Sequence, residues 1–104
     1  MSWNNEQALK GKEKTLGKTH PDTLNSVMNM AIVYEGMQDY EKAEEFYRRA
    51  LEGFEAQLGK DHHSTKISAK NLAICLEEAG KKVKLRKVLE EYPHLRAKEE
   101  WNEH

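Results

Sequence analysis

The sequence predicts an all-α fold of about five to six helices, arranged as antiparallel hairpins stacked side by side. Three observations carry that expectation. The phrase Leu16-Gly17-Lys18-Thr19-His20 returns as Leu58-Gly59-Lys60-Asp61-His62, an offset of 42 residues. Across positions 16–35, ten of twenty residues equal their partners at that offset, where unrelated segments share roughly one or two. The matches include Thr23 with Thr65, Ser26 with Ser68, Asn29 with Asn71 and Glu35 with Glu77, and upstream Ala8-Leu9-x-Gly11-x-Glu13 returns as Ala50-Leu51-x-Gly53-x-Glu55. Between the punctuating glycines the apolar residues fall at helical spacing, and the turns are short, which forces neighbouring helices to run antiparallel. A fixed period in this range marks a stacked-repeat architecture. Each hairpin turns slightly against the next and builds a superhelix with a concave and a convex wall.

The elements follow in order. Residues 4–17 read as a leading helix, with Ala8, Leu9 and Leu16 among charged helix formers and Gly17 as its stop. Thr19 offers an N-cap side chain and Pro21 suits a first turn, so a second helix begins near His20 or Pro21. Its buried face is Leu24, Val27, Met30, Ala31 and Tyr34, and it ends near Gly36. Tyr40 to Leu58 is the strongest helix: Tyr40, Ala43, Phe46, Tyr47, Ala50, Leu51, Phe54 and Leu58 trace one apolar stripe. Gly59 closes it and Asp61 caps the next helix, whose buried face is Ala69, Leu72, Ala73 and Leu76. A last helix spans about Lys82 to Tyr92, with Val83, Leu85, Val88 and Leu89 apolar, until Pro93 breaks or kinks it. The charged tail, residues 93–104, is expected to hold a short helix. The chain is thus a single domain: a leading helix (4–17), a full hairpin (20–59), a degenerate capping hairpin (62–92) and the tail.

Bulk properties narrow the function. With 17 basic and 18 acidic residues well mixed along the chain, the formal charge is -1, and no basic field invites nucleic acid or an anionic membrane. No apolar run approaches the ~20 residues of a membrane span, and the first residues lack the form of a signal peptide. The single Cys75 makes no internal disulfide. A soluble protein of the cytoplasm is the expectation.

From Asn29-Met30-Ala31 through Tyr34, Tyr40, Ala43, Tyr47 and Ala50, the order small, aromatic, turn, aromatic, alanine, aromatic, alanine resembles the tetratricopeptide pattern. The period of 42 exceeds that family's usual ~34, and with Leu16-Gly17-Lys18-Thr19-His20-Pro21-Asp22-Thr23-Leu24 it looks like the repeats of kinesin light chains. The second copy departs from the pattern at His63 for Pro21, Lys66 for Leu24 and Lys82 for Tyr40, as terminal capping repeats do. Gln38 stands where the family usually has the glycine of the turn, restored at Gly80.

Catalytic chemistry finds no foothold. His20, His62 and His63 fall in turns, no histidine pair has helical ligand spacing, and no glycine-rich phosphate loop is present. Glu44-Glu45 and Glu77-Glu78 read as solvated helix faces, and the basic run Lys81 to Lys87 as a solvated end. No enzyme, metal or cofactor is expected. By resemblance, the concave groove is lined by Asn25, Met28, Asn29, Ile32 and Glu35 in one helix and Ile67, Lys70, Asn71, Ile74 and Glu77 in the other. An amide both donates and accepts, which suits an extended peptide main chain. The resemblance implies a scaffold or adaptor that binds a protein or peptide. The alternative is structural: the leading helix has no partner helix before it, so two copies could stack through it, or the chain belongs to a longer array. Trp3 and Trp101, near opposite ends, suit either exposed ends or end-to-end contact.

Overall fold

The computed structural model describes residues 5–96. Six helices follow one another: α1 (Asn5–Leu16), α2 (Pro21–Gly36), α3 (Tyr40–Leu58), α4 (His63–Glu78), α5 (Lys82–Glu91) and α6 (Pro93–Arg96). Among the described residues there is no strand, and each helix packs chiefly on its neighbours in sequence. The stack measures 42 × 30 × 20 Å. The expectations for Trp3 and for the tail beyond Arg96 lie outside the described residues.

The repeated phrase has one structural reason in both copies. Gly17 and Gly59 take φ of +96° and +92°, the left-handed backbone that lets the chain leave one helix and enter the next at once. The caps are one residue later than the sequence predicts. His20 and His62, not Thr19 and Asp61, are the N-caps, each with its Nδ1 accepting the amide two residues on at 3.1 Å. An imidazole in extended backbone acts here as an Asx side chain would. Behind the cap, Thr65 Oγ1 donates to the Gly59 carbonyl at 2.7 Å and Thr23 Oγ1 to the Lys12 carbonyl at 3.4 Å, so both threonines are fully buried without an unpaired hydroxyl.

The core runs along the interior of the stack. Tyr47, Phe54, Leu24, Leu72, Leu76 and Val27 are its largest fully buried side chains. The α3 stripe is in place: Ala43, Tyr47, Ala50, Leu51 and Phe54 are buried, and Tyr40, Phe46 and Leu58 pack against them half-covered. Val83 departs from expectation. It is 63% exposed, because the side of α5 that meets the core is set by Val88, with Leu85 and Leu89 half-covered.

One polar device was not foreseen. Glu44 reads as a surface residue, yet it is 6% exposed and receives Arg48 Nε at 3.0 Å, Lys81 Nζ at 2.9 Å and Lys84 Nζ at 3.1 Å. Burial works to raise its pKa, but the three cationic hydrogen bonds outweigh it and hold the carboxyl at about 2. It thereby ties α5 to α3. The same relation recurs at other levels: Glu13 accepts from Arg49 between α1 and α3, and Glu55 accepts the Tyr92 hydroxyl at 2.7 Å.

Candidate binding site

Helices α2 and α4 are the two equivalent first helices of the hairpins, and they lie side by side. Asn71 Nδ2 donates to Met28 Sδ at 3.4 Å, and the Glu78 carboxyl lies near enough to that of Glu35 to be perturbed by it. Both contacts pair a residue of α2 with the residue 43 positions on, so they define one parallel seam. At about 100° per residue, Asn25, Asn29 and Ile32 are turned one way from Met28, by about 40–100°. Ile67, Lys70 and Ile74 are turned the opposite way from Asn71 by the same amount. In two parallel helices those opposite rotations bring all six side chains to one face. The core residues Leu24, Val27 and Ala31 of α2 lie on the other.

That face is open. Asn25, Asn29, Lys70 and Glu77 are exposed, and Ile32 and Ile67 are 50% and 39% exposed. Ile74, Asn71 and Glu35 are half-covered. Met28 is the correction: at 9% exposure it lies in the seam against the Asn71 amide rather than on the wall, since it occupies the line along which the two helices touch. Its contact also holds Asn71, so the two sequence-equivalent asparagines differ. Among the described residues no side-chain hydrogen bond engages Asn29, whose amide can donate to and accept from an extended main chain together.

The carboxyl-terminal ends of α2 and α4 make one end of this wall acidic. Glu35 Oε1 accepts the Tyr47 hydroxyl at 2.6 Å. Burial, then that hydrogen bond and the Glu35 charge, push the Tyr47 phenol well above its ordinary range. The hydrogen bond with Glu35, followed by burial and the charges of Glu35 and Glu77, raises Glu78 to about 7. Glu78 therefore keeps its proton up to about neutral pH, which keeps a second negative charge from forming where the helix dipoles are already negative. Sequence reading missed Glu78, and the hydroxyl of the buried Tyr47 behind the wall, as partners of Glu35. The available signal was the register: Glu78, not the identical Glu77, is the residue 43 positions after Glu35.

No catalytic constellation is assembled. Among the described residues there is no group of three or more His, Cys, Asp or Glu side chains able to hold a metal. Cys75 is buried, and burial, then the charges of Glu35, Glu44 and Glu78, lift its thiol to about 11. No helix among the described residues is long and apolar enough to cross a membrane.

A stack of two-helix units with a 42-residue period, an aromatic and alanine interior and an uncovered first-helix wall is the architecture of a helical repeat array. The profile described as Tetratricopeptide repeat matches residues 4–56 and again 24–84, and the chain belongs to that family. The two matches overlap on α2 and α3, the hairpin with the fullest set of packing residues. Comparison with curated proteins finds no match. Tetratricopeptide repeats generally mediate protein–protein interaction and act as non-catalytic scaffolds.

Proposed function

We propose that this chain is an adaptor module of the cytoplasm that binds an extended peptide segment of a partner protein along the face formed by α2 and α4. The observation that carries this reading is the pairing of free amides with exposed isoleucines on one face: Asn25 and Asn29 beside Ile32, opposite Ile67 and the half-covered Ile74. Large aliphatic side chains left half in water gain about 25 cal/mol per Å² on being covered. The amides fix the direction and register of a main chain, and isoleucines take its side chains. Lys70 adds a charge for an acidic residue of the ligand, while Glu35 and Glu77 favour a basic one at the other end of the wall. The long period and the Leu-Gly-Lys-x-His phrase support the kinesin-light-chain-like subtype. The division into a leading helix, a full repeat at 20–59 and a capping repeat at 62–92 belongs to the same reading.

The test is selection of binding peptides by the wild-type protein from a displayed random library, followed by the variants. Asn25→Ala with Asn29→Ala should weaken binding of the selected peptides about tenfold or more, at unchanged helicity by circular dichroism. Unaltered binding overturns the reading. A second reading, self-association or capping within a longer array, draws on the face of α1 lined by Ala8, Gly11, Thr15 and Leu16, where Gly11 has nothing within 4 Å. Sedimentation velocity decides it: a monomer at high concentration removes self-association.

A further inference from the structure

The outward face of α5 is the repeat equivalent of a face that the molecule itself covers. Moving back 42 residues, Lys82, Leu85, Arg86 and Leu89 correspond to Tyr40, Ala43, Glu44 and Tyr47 of α3. On α3 these residues meet the following unit. Cys75 Sγ of α4 contacts the Tyr40 carbonyl at 3.9 Å, Ala43 and Tyr47 are buried, and Glu44 takes Lys81 and Lys84. On α5 the same four positions line an open groove of about 230 Å³, with Leu85 and Leu89 only half-covered.

The charge at the junction is inverted. Where α3 presents Glu44 to two lysines, α5 presents Arg86 at the same position and Lys82 one turn before it. Lys81 and Lys84 are already spent on Glu44, whereas among the described residues neither Lys82 nor Arg86 has an ion-pair partner. Lys81 also replaces the capping Asp39 of α3, and no side chain caps the start of α5, so that end of the helix keeps its positive pole. Two leucines flanked by unpaired cations, in a trough that elsewhere in this fold seats a helix, call for an occupant with the opposite charge.

We propose that the α5 face is a second docking surface, which seats an amphipathic helix of a partner protein presenting leucine-sized residues to Leu85 and Leu89 and carboxylates to Lys82 and Arg86. A second copy of this chain is the wrong occupant. Its own uncovered face, on α1, carries Lys12 beside Ala8, Gly11, Thr15 and Leu16, so end-to-end stacking sets cation against cation. An anionic membrane is disfavoured because only two cations flank the trough and its walls match a helix rather than a plane. The surface is separate from the wall of α2 and α4.

The probe is a labelled synthetic helix of about 16 residues, long enough to be partly helical alone, with leucines on one face and glutamates beside them, titrated into the intact protein by fluorescence anisotropy. Binding should weaken steeply as salt is raised through the physiological range, and should fall roughly tenfold or more with Lys82→Glu plus Arg86→Glu. Both side chains are exposed, and circular dichroism verifies that the variant folds. Asn29→Ala should leave this binding unchanged, which separates failure here from failure of the peptide wall. Failure of the probe to bind, equal binding by the charge-reversed variant, or equal binding of a probe with lysine in place of glutamate each overturns the proposal. So does recruitment by vesicles of anionic phospholipid without binding of the helix, or a wild-type dimer that the α5 variant dissolves.

Discussion

Two glycines one repeat apart give opposite answers to the same substitution. Gly11 and Gly53 are both interior residues of helices, where glycine costs about 1 kcal/mol relative to alanine. At Gly11 an added Cβ meets nothing within 4 Å, so Gly11→Ala should stabilise by about 0.5–1 kcal/mol. At Gly53 the Cβ would lie 2.6 and 2.7 Å from the δ-carbons and 3.2 Å from the Cγ of Leu24. Leu24 is 1% exposed and can turn aside only into atoms already packed around it. Overpacking of this kind costs about 1–3 kcal/mol. It offsets the propensity gain and leaves Gly53→Ala about 1 kcal/mol less stable than wild type.

Urea denaturation followed by far-ultraviolet circular dichroism reads both variants on one scale. In a domain of this size, 1 kcal/mol also moves Tm by about 4–8 °C. A double-mutant cycle isolates the contact. In a Leu24→Ala background the clash is gone and Gly53→Ala should become neutral or stabilising, a coupling of about 1–2 kcal/mol. If Gly53→Ala stabilises as Gly11→Ala does, with no coupling to Leu24, then α3 does not receive α2 at Gly53 and the packing of the hairpin described here is refuted.

Other expectations follow from the charged and turn positions. Glu44 has a folded pKa of about 2, below its unfolded value, so its contribution is present above about pH 4.5 and is lost as pH falls toward 2. Because Arg48 and Lys84 are 39% and 51% exposed and screened, that contribution is about 1–2 kcal/mol, and Glu44→Gln should lower the urea midpoint at pH 7 but barely at pH 2. Glu78 has the opposite sign: with its folded pKa raised to about 7, its contribution is fully present below about pH 4.5 and is lost as pH rises through 7. Glu78→Gln should therefore raise the midpoint at pH 8 and leave it unchanged at pH 4.5, and carbon-13 carboxyl titration should place one glutamate near 7. Gln38 is held at φ +63°, in the turn position that Gly80 fills at +75°. Gln38→Gly should stabilise by about 0.5–1 kcal/mol in the same denaturation assay.

The fold was largely legible because each helix announces its own ends. α3 runs from Tyr40 to Leu58, where the apolar stripe begins and ends, and Gly17 and Gly59 stop their helices with the backbone that glycine alone adopts easily. The caps were misread by one residue because a histidine ring nitrogen did the work assigned to Thr19 and Asp61. The identity of Thr23 with Thr65 was visible, yet its reason, a buried hydroxyl that donates to a carbonyl of α1 in one copy and of the Gly59 turn in the other, needed the structure. Of the candidate wall, the residues on α2 and α4 came from the family resemblance, and the seam between the two helices was not legible. Met28 was placed on the wall, yet it is 9% exposed and meets Asn71 of α4. Glu44 was illegible for the same reason: two of its three cations come from a helix 37 or more residues away. Local periodicity reports which face of a helix is apolar, while the pairing of charges between helices depends on a register that only packing fixes.

Peptide binding to the open face of α2 and α4 is the proposal most in need of a test. The most direct measurement is a two-dimensional nitrogen-15 amide titration of the labelled protein with a peptide selected by the wild type. Shifts should concentrate at Asn25, Asn29, Ile32, Ile67, Lys70 and Ile74, and in the side-chain amides of Asn25 and Asn29. Shifts confined to α1 or α5, with those six residues unmoved, would contradict it.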